Sequence, residues 1–401
     1  MTTRRSFVAS LPAAALLARS TFAFAALPQP ARLYLGTTGN KGNEGIYTAV
    51  FDAATGTLTT PALAVKTANP GFLALSRALG GARKGKRYLY CTSDVGGTAP
   101  PPPAGSPAPP PAPAVTAMIS AFAVNGATLT LLNQQDAVGP GPTVLSMAAD
   151  DHVVLVANYW GGSITTYTTN ADGTLSLPVA HMQYRDEDHG PLPNQAQARA
   201  HAIYPSPDGG YVLADDFSGD KVRVYKLNRQ TGALVANDPP AWNAPAGTTP
   251  RHMAFHPNGK WVYCVGESDN AIDLLQWDSK TGTLTAAGRI STLPAEHPPR
   301  VRSADLVLSP DARFLYASNR GYESFAVYSI GADGALTQVQ QMMSGGKESR
   351  HIAIDPSGKW FLSANQRTDE ISVMPRDVAT GVLSPQTSSV PLLGACFALF
   401  A

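Results

Sequence analysis

Charge is scarce in this chain. Lys, Arg, Asp and Glu make up 15% of its 401 residues, and the net charge is +1. Such a thin and balanced charge excludes the broad basic face that nucleic acid requires. Cysteine is almost missing: Cys91, Cys264 and Cys396 stand alone, with no Cys-x-x-Cys spacing. No disulfide framework follows from them, and each falls inside an apolar strand pattern, so buried, reduced thiols are expected. Segments with helical periodicity are nearly absent. So are His-Glu-x-x-His, Gly-x-Ser-x-Gly, the P-loop and the dinucleotide fingerprint, so the familiar zinc, serine-hydrolase and nucleotide sites are not signalled.

What is abundant is Gly and Pro, 36 and 34 residues. They punctuate a module that returns seven times: a Pro-Asp/Asn/Ser-Gly turn, two apolar strands, then Gly-x-Leu. Clear copies begin at His256-Pro257-Asn258-Gly259, Ser309-Pro310-Asp311 and Asp355-Pro356-Ser357-Gly358. Self-similarity with a period of about 45–65 residues marks a radial repeat. Short strands between Gly/Pro turns, four to a repeat, predict an all-β fold, a seven-bladed β-propeller. The first repeat lacks an innermost strand, and the C-terminus offers a spare one, Ala395-Cys396-Phe397-Ala398-Leu399-Phe400. That strand is expected to enter the first blade and close the ring, which removes free sheet edges.

Two segments stand outside the repeat. Residues 1–25 carry Arg4-Arg5, an apolar stretch over 11–17 and the small-residue site Ala23-Phe24-Ala25. This order reads as a signal peptide of the twin-arginine kind, giving a periplasmic protein whose propeller occupies 26–401. The apolar stretch is too short to span a membrane. Residues 99–114 are a Pro/Ala run within blade two, read as an extended surface loop because proline cannot serve a central strand. A further irregular stretch, 185–194, precedes blade four and would overhang the channel mouth.

The repeat also serves as a ruler. Six residues before each turn proline, where the innermost strand begins, stand His201, Arg251, Ala304 and Arg350 in blades four to seven. Strand alternation sends equivalent positions the same way, so the charged ones should project together into the channel. A second register, at the end of each second strand, holds Tyr159, Phe217, Glu267, Arg320 and Gln366, preceded in four blades by Asn158, Asp216, Asn319 and Asn365. Glu267, Arg251 and Arg320 would form a carboxylate–guanidinium cluster at a solvated rim. The bland alternative is a set of structural ion pairs. His252 and His256 would suit a metal on a helix, but on a strand they lie roughly 13 Å apart, so no metal site is expected.

The stretches Pro250-Arg251-His252-Met253-Ala254-Phe255-His256-Pro257-Asn258-Gly259, Ser318-Asn319-Arg320-Gly321, Asn158-Tyr159 with Gly162-Ser163, and Asp216 to Asp220-Lys221-Val222 resemble the seven-bladed lactonase family. That family includes bacterial propeller-type 6-phosphogluconolactonases and fungal carboxymuconate cyclases. The resemblance spans the whole mature chain. It implies a lactone hydrolase or lactone-forming cyclase that needs no cofactor, and it places the family's chemical residues on His201, Arg251, Arg320 and Glu267. Arg199-Ala200-His201 departs from the family's His-x-His, and Gly266-Glu267-Ser268 from its Asn-Glu-Leu. The resulting expectation is hydrolysis of a small-molecule lactone. Arg251 and Arg320 would steady the oxyanion, and Glu267 or His201 would take the proton of the attacking water. Arg350, Asn319, Gln366, Tyr159 and Asp216 would bind substrate. A non-catalytic exported binding propeller and a muconate-type cycloisomerase are the alternatives.

Overall fold

In a computed structural model, the described residues are 31–38, 42–77, 85–93, 117–185 and 189–401. The signal segment and the Pro/Ala insertion read from the sequence lie outside them. The described residues form seven antiparallel sheets arranged as blades, with short loops between strands. Blade five is typical. Its strands Pro250–Phe255, Trp261–Gly266, Ala271–Asp278 and Thr283–Ser291 pair in sequence order from the channel outward. Blade one is completed by the last strand, Ala395–Phe400, which runs antiparallel to Ala31–Thr37 with Leu35 opposite Ala398.

Each second strand is apolar on both faces because it is sandwiched between two neighbouring blades. Val262 and Cys264 pack toward blade four, whereas Tyr263 and Val265 pack toward blade six. This is period-two alternation with both faces buried. The apolar core is accordingly not one centre but seven clusters, one in each gap between adjacent blades.

The Gly-x-Leu motif has its own cause. Gly381 has φ +77°, and a Cβ there would overlap the Phe314 ring of the preceding blade. Its carbonyl also accepts a hydrogen bond from the Tyr316 hydroxyl at 2.6 Å. Tyr34, Tyr90 and Tyr263 make the same reach to Gly126, Gly173 and Gly334. Glycine is therefore required for the close approach as well as for the turn.

Candidate active site

The innermost strands carry a recurring irregularity at the channel mouth. The pairing register shifts between Ala200 and Ile203, Pro250 and His252, Ser303 and Leu306, and Ser349 and His351. A β-bulge turns a strand locally and re-aims its side chains. Both residues of each pair Arg251–His252 and Arg350–His351 consequently border the central channel, where strict alternation would send only one inward.

Arg251, Glu267 and Arg320 meet in the buried mouth, contributed by blades five and six. Glu267 Oε2 accepts from Arg251 Nε at 2.9 Å and from Arg320 Nη2 at 2.8 Å. Arg251 Nη1 donates to the Ala304 carbonyl, and Arg320 Nη1 donates to Glu348 Oε1 at 3.3 Å. Arg302 lies 3.9 Å from Glu267 and 3.8 Å from Glu348. Burial alone would raise the Glu267 carboxyl, but Arg320, Arg251 and Arg302 outweigh it and hold it below its ordinary value. Burial and Arg320 push the Arg251 guanidinium down to about 9, still a cation at neutral pH. The three central residues are at most 7% exposed. The expected solvated rim is thus corrected to a buried cluster.

His201 stands beside this cluster. It is buried, and its Nδ1 has no hydrogen-bond partner. Burial, followed by Arg251, His252, Arg350 and Arg320, pushes its imidazole well below the ordinary range, so it is neutral at physiological pH. Its ring meets the Tyr159 ring edge-on at 5.5 Å and His252 at 5.0 Å. His201, Arg251, His252, Arg350 and His351, facing the apolar Phe72, Val144 and Phe397, border a channel cavity of about 20 Å³. A volume of that order holds one water.

Such a mouth holds guanidinium donors that converge on Glu267 Oε2, a neutral imidazole and a water-sized space. Residues 32–400 match the family described as Lactonase, 7-bladed beta-propeller. The chain belongs to the seven-bladed β-propeller lactonase family. It is 29% identical over 365 residues to a 6-phosphogluconolactonase of Bacillus subtilis, spanning 89% of this chain and 95% of that one. A solved periplasmic gluconolactonase of Pseudomonas aeruginosa has 26% identity and a TM-score of 0.81, with 92% of this chain and 98% of that chain covered. A Lactobacillus plantarum structure has 30% identity, a TM-score of 0.81, and 93% and 99% coverage.

Within this lactonase mouth, the remaining expected residues divide. Tyr159 adjoins His201, and Arg350 borders the channel. Gln366 is partly buried at the outer edge, its N–H donating to the Glu348 carbonyl. Asn319 and Asp216 do not reach the site. Asn319 Nδ2 donates to the Thr292 carbonyl at 2.8 Å, and its Oδ1 accepts from Thr292 and Ser303. Asp216 Oδ2 takes Arg223 Nη2 at 2.6 Å and Nε at 2.8 Å, while Oδ1 takes the Gly219 amide. Asn158 and Asn365 are bonded within their own blades in the same way. This Asn/Asp register ties second to third strand, Asn319 through Ser324 as well, and the side chains of Asp216 and Asn319, expected to bind substrate, are engaged within the blades.

Several mouth residues escaped the ruler. Arg199, Arg302 and Glu348 lie two residues before His201, Ala304 and Arg350, at or just before the first residue of each innermost strand, where the ruler does not reach. Glu348 has φ +58°, as Thr249 has φ +51° two residues before Arg251, so the conformation belongs to the entry into the innermost strand. His252, Asp305 and His351 lie one residue after the ruler position and are turned inward by the bulge. Tyr204 Oη lies 2.7 Å from His252 Nδ1, and Asp305 lies 3.9 Å from both His252 and His351. Asp305 accepts the Leu306 and Ile352 amides.

Burial raises the Asp305 carboxyl from its ordinary 3.8 to about 6. Between those values the folded chain holds a proton that the unfolded chain has released, so this group's contribution to stability falls as pH rises. His201, His252 and His351 act in the opposite sense. Each is pushed down by burial, and their contribution is lost on acidification below about 6.5. The expected outcome concerns the difference between proteins. Asp305→Asn should gain stability over the wild type between pH 4.5 and 7, by about 2 kcal/mol. Urea unfolding at the two pH values checks this, and a constant difference would contradict it.

Proposed function

We propose that this chain hydrolyses a lactone at the mouth of its channel. The observation that carries the reading is the buried Arg251–Glu267–Arg320 cluster beside the unpartnered nitrogen of His201. Opening a lactone turns its carbonyl oxygen into an oxyanion, and preorganised guanidinium donors stabilise that charge. The channel cavity would seat the attacking water against His201. In this scheme His201 takes the water's proton and returns it to the leaving ring oxygen. The imidazolium that forms is disfavoured by burial and by the nearby Arg251 and Arg350, but the oxyanion forming beside them offsets their charge.

Glu267 is assigned a different role from the alternative of a general base. Its Oε2 is taken by two guanidinium groups, and they depress its basicity. It fixes the two arginines at one separation and keeps them desolvated. The family and the curated 6-phosphogluconolactonase relative support hydrolysis over cyclisation. The Arg4-Arg5 segment, together with the periplasmic gluconolactonase neighbour, supports action outside the cytoplasm. A pH-stat assay of purified protein on δ-gluconolactone and 6-phosphogluconolactone tests the reading. Acid release above the spontaneous rate is expected; release at the spontaneous rate on both would refute it.

A further inference from the structure

Arg199 has no acidic partner among the described residues, unlike Arg251, Arg302 and Arg320 in the same mouth. Its Nη1 donates to the Tyr159 hydroxyl at 2.9 Å, and its Nε is buried without a partner. The guanidinium carbon lies 5.1 Å from the centre of the Tyr159 ring and 4.7 Å from that of Trp160. Trp160 is 42% exposed, an unusual degree for so large an apolar ring. Tyr159 links this pair directly to His201 through its edge contact.

A half-buried cation is normally matched by an acid or by carbonyls. Here the aromatic faces hold the guanidinium in place without neutralising it. The Tyr159 ring bridges the two, with the guanidinium carbon 5.1 Å from its centre and the His201 ring 5.5 Å from it, so this charge stands one aromatic ring away from His201. We propose that Arg199 and Trp160 form a specificity subsite for an oxyanion carried by the substrate at the end remote from the reacting carbonyl. Trp160 would cover the apolar face of the carbon chain, and Arg199 would pair with a terminal phosphate or carboxylate. The assignment of that ligand as a lactone rests on the reading above. The presence of an anion subsite does not.

Binding to the full chain separates the two. The probes are gluconate, 6-phosphogluconate and glucarate, which share one acid and differ only at the far end: hydroxyl, phosphate or carboxylate. Calorimetry on wild type should show at least one of the two latter bound about tenfold or more tighter than gluconate, as a charge-assisted pair provides. The larger gain identifies phosphate or carboxylate as the group recognised. In Arg199→Ala, and in the near-isosteric Arg199→Gln, that ratio should fall below about threefold. Equal binding of all three by wild type, no measurable binding of any, or an undiminished ratio in both variants would overturn the subsite. Selective binding without lactone turnover would leave the subsite standing and remove the hydrolase reading instead.

Discussion

Glu267→Gln is expected to lower kcat/KM for lactone hydrolysis by about 10²–10³, the range for disturbing preorganised oxyanion donors. The amide keeps the shape and can still accept a hydrogen bond, but it no longer neutralises Arg251 and Arg320. Those guanidinium groups stand 2.9 and 2.8 Å from one carboxylate oxygen in a buried mouth. Without the charge they repel each other and draw in water. Breaking a buried pair by removing one partner costs about 3–5 kcal/mol, so this variant should also lose stability, as a lower urea midpoint at unchanged slope. The two losses share one cause and should couple. Combining Glu267→Gln with Arg320→Met should cost clearly less than the sum of the single changes. Full activity in Glu267→Gln, or strict additivity, would show that the carboxylate does not organise the mouth.

Removing residues 395–401 should abolish cooperative folding. The strand Ala395–Phe400 is the innermost of blade one, and it seals blades seven and two. Phe397 packs on Phe72 at 4.2 Å and on His351 at 3.8 Å, and Phe400 on Phe51 at 5.5 Å. Losing one such aromatic costs about 3–5 kcal/mol, so losing both approaches the whole stability of a typical domain, about 5–15 kcal/mol. The truncation also bares the edge of Ala31–Thr37, a template for pairing with other chains. Size-exclusion chromatography and thermal unfolding should report aggregate without a sharp transition. A monomeric truncation melting at the full-length temperature would contradict the closure.

The architecture was legible because each module states it twice, through its turn proline and through a second strand apolar on both faces. The closing strand followed from counting, since one repeat was short of a strand that the C-terminus possessed. The ruler reached Arg251, Glu267, Arg320, His201 and Arg350 because all five sit at strand ends whose register the repeat fixes. It missed His252, Asp305 and His351 because alternation was assumed to continue through the mouth, where a bulge interrupts it. Asp216 and Asn319 differ from these, since their side chains are engaged within the blades. The same residue type at the same position in four blades reflects a need that every blade has, here a clamp between second and third strands. A single pocket needs its chemistry once, and residues such as His201 or Glu267, which break the repeat, carry that signal. Solvation is not legible in the register, because a strand-end position does not say how deep it lies: Arg251, Glu267 and Arg320 are buried.

The measurement that bears most directly on catalysis at this mouth is the turnover of His201→Ala beside that of the wild type, on the preferred lactone. His201 Nδ1 has no partner in the fold, so no hydrogen bond of that atom is lost, and the variant should stay folded with a melting temperature lowered only by the cavity the packed ring leaves. Its kcat should nevertheless fall by about 10²–10⁴, the contribution of a positioned general base, with KM changed little. A folded His201→Ala protein that hydrolyses the lactone at the wild-type rate would contradict the account.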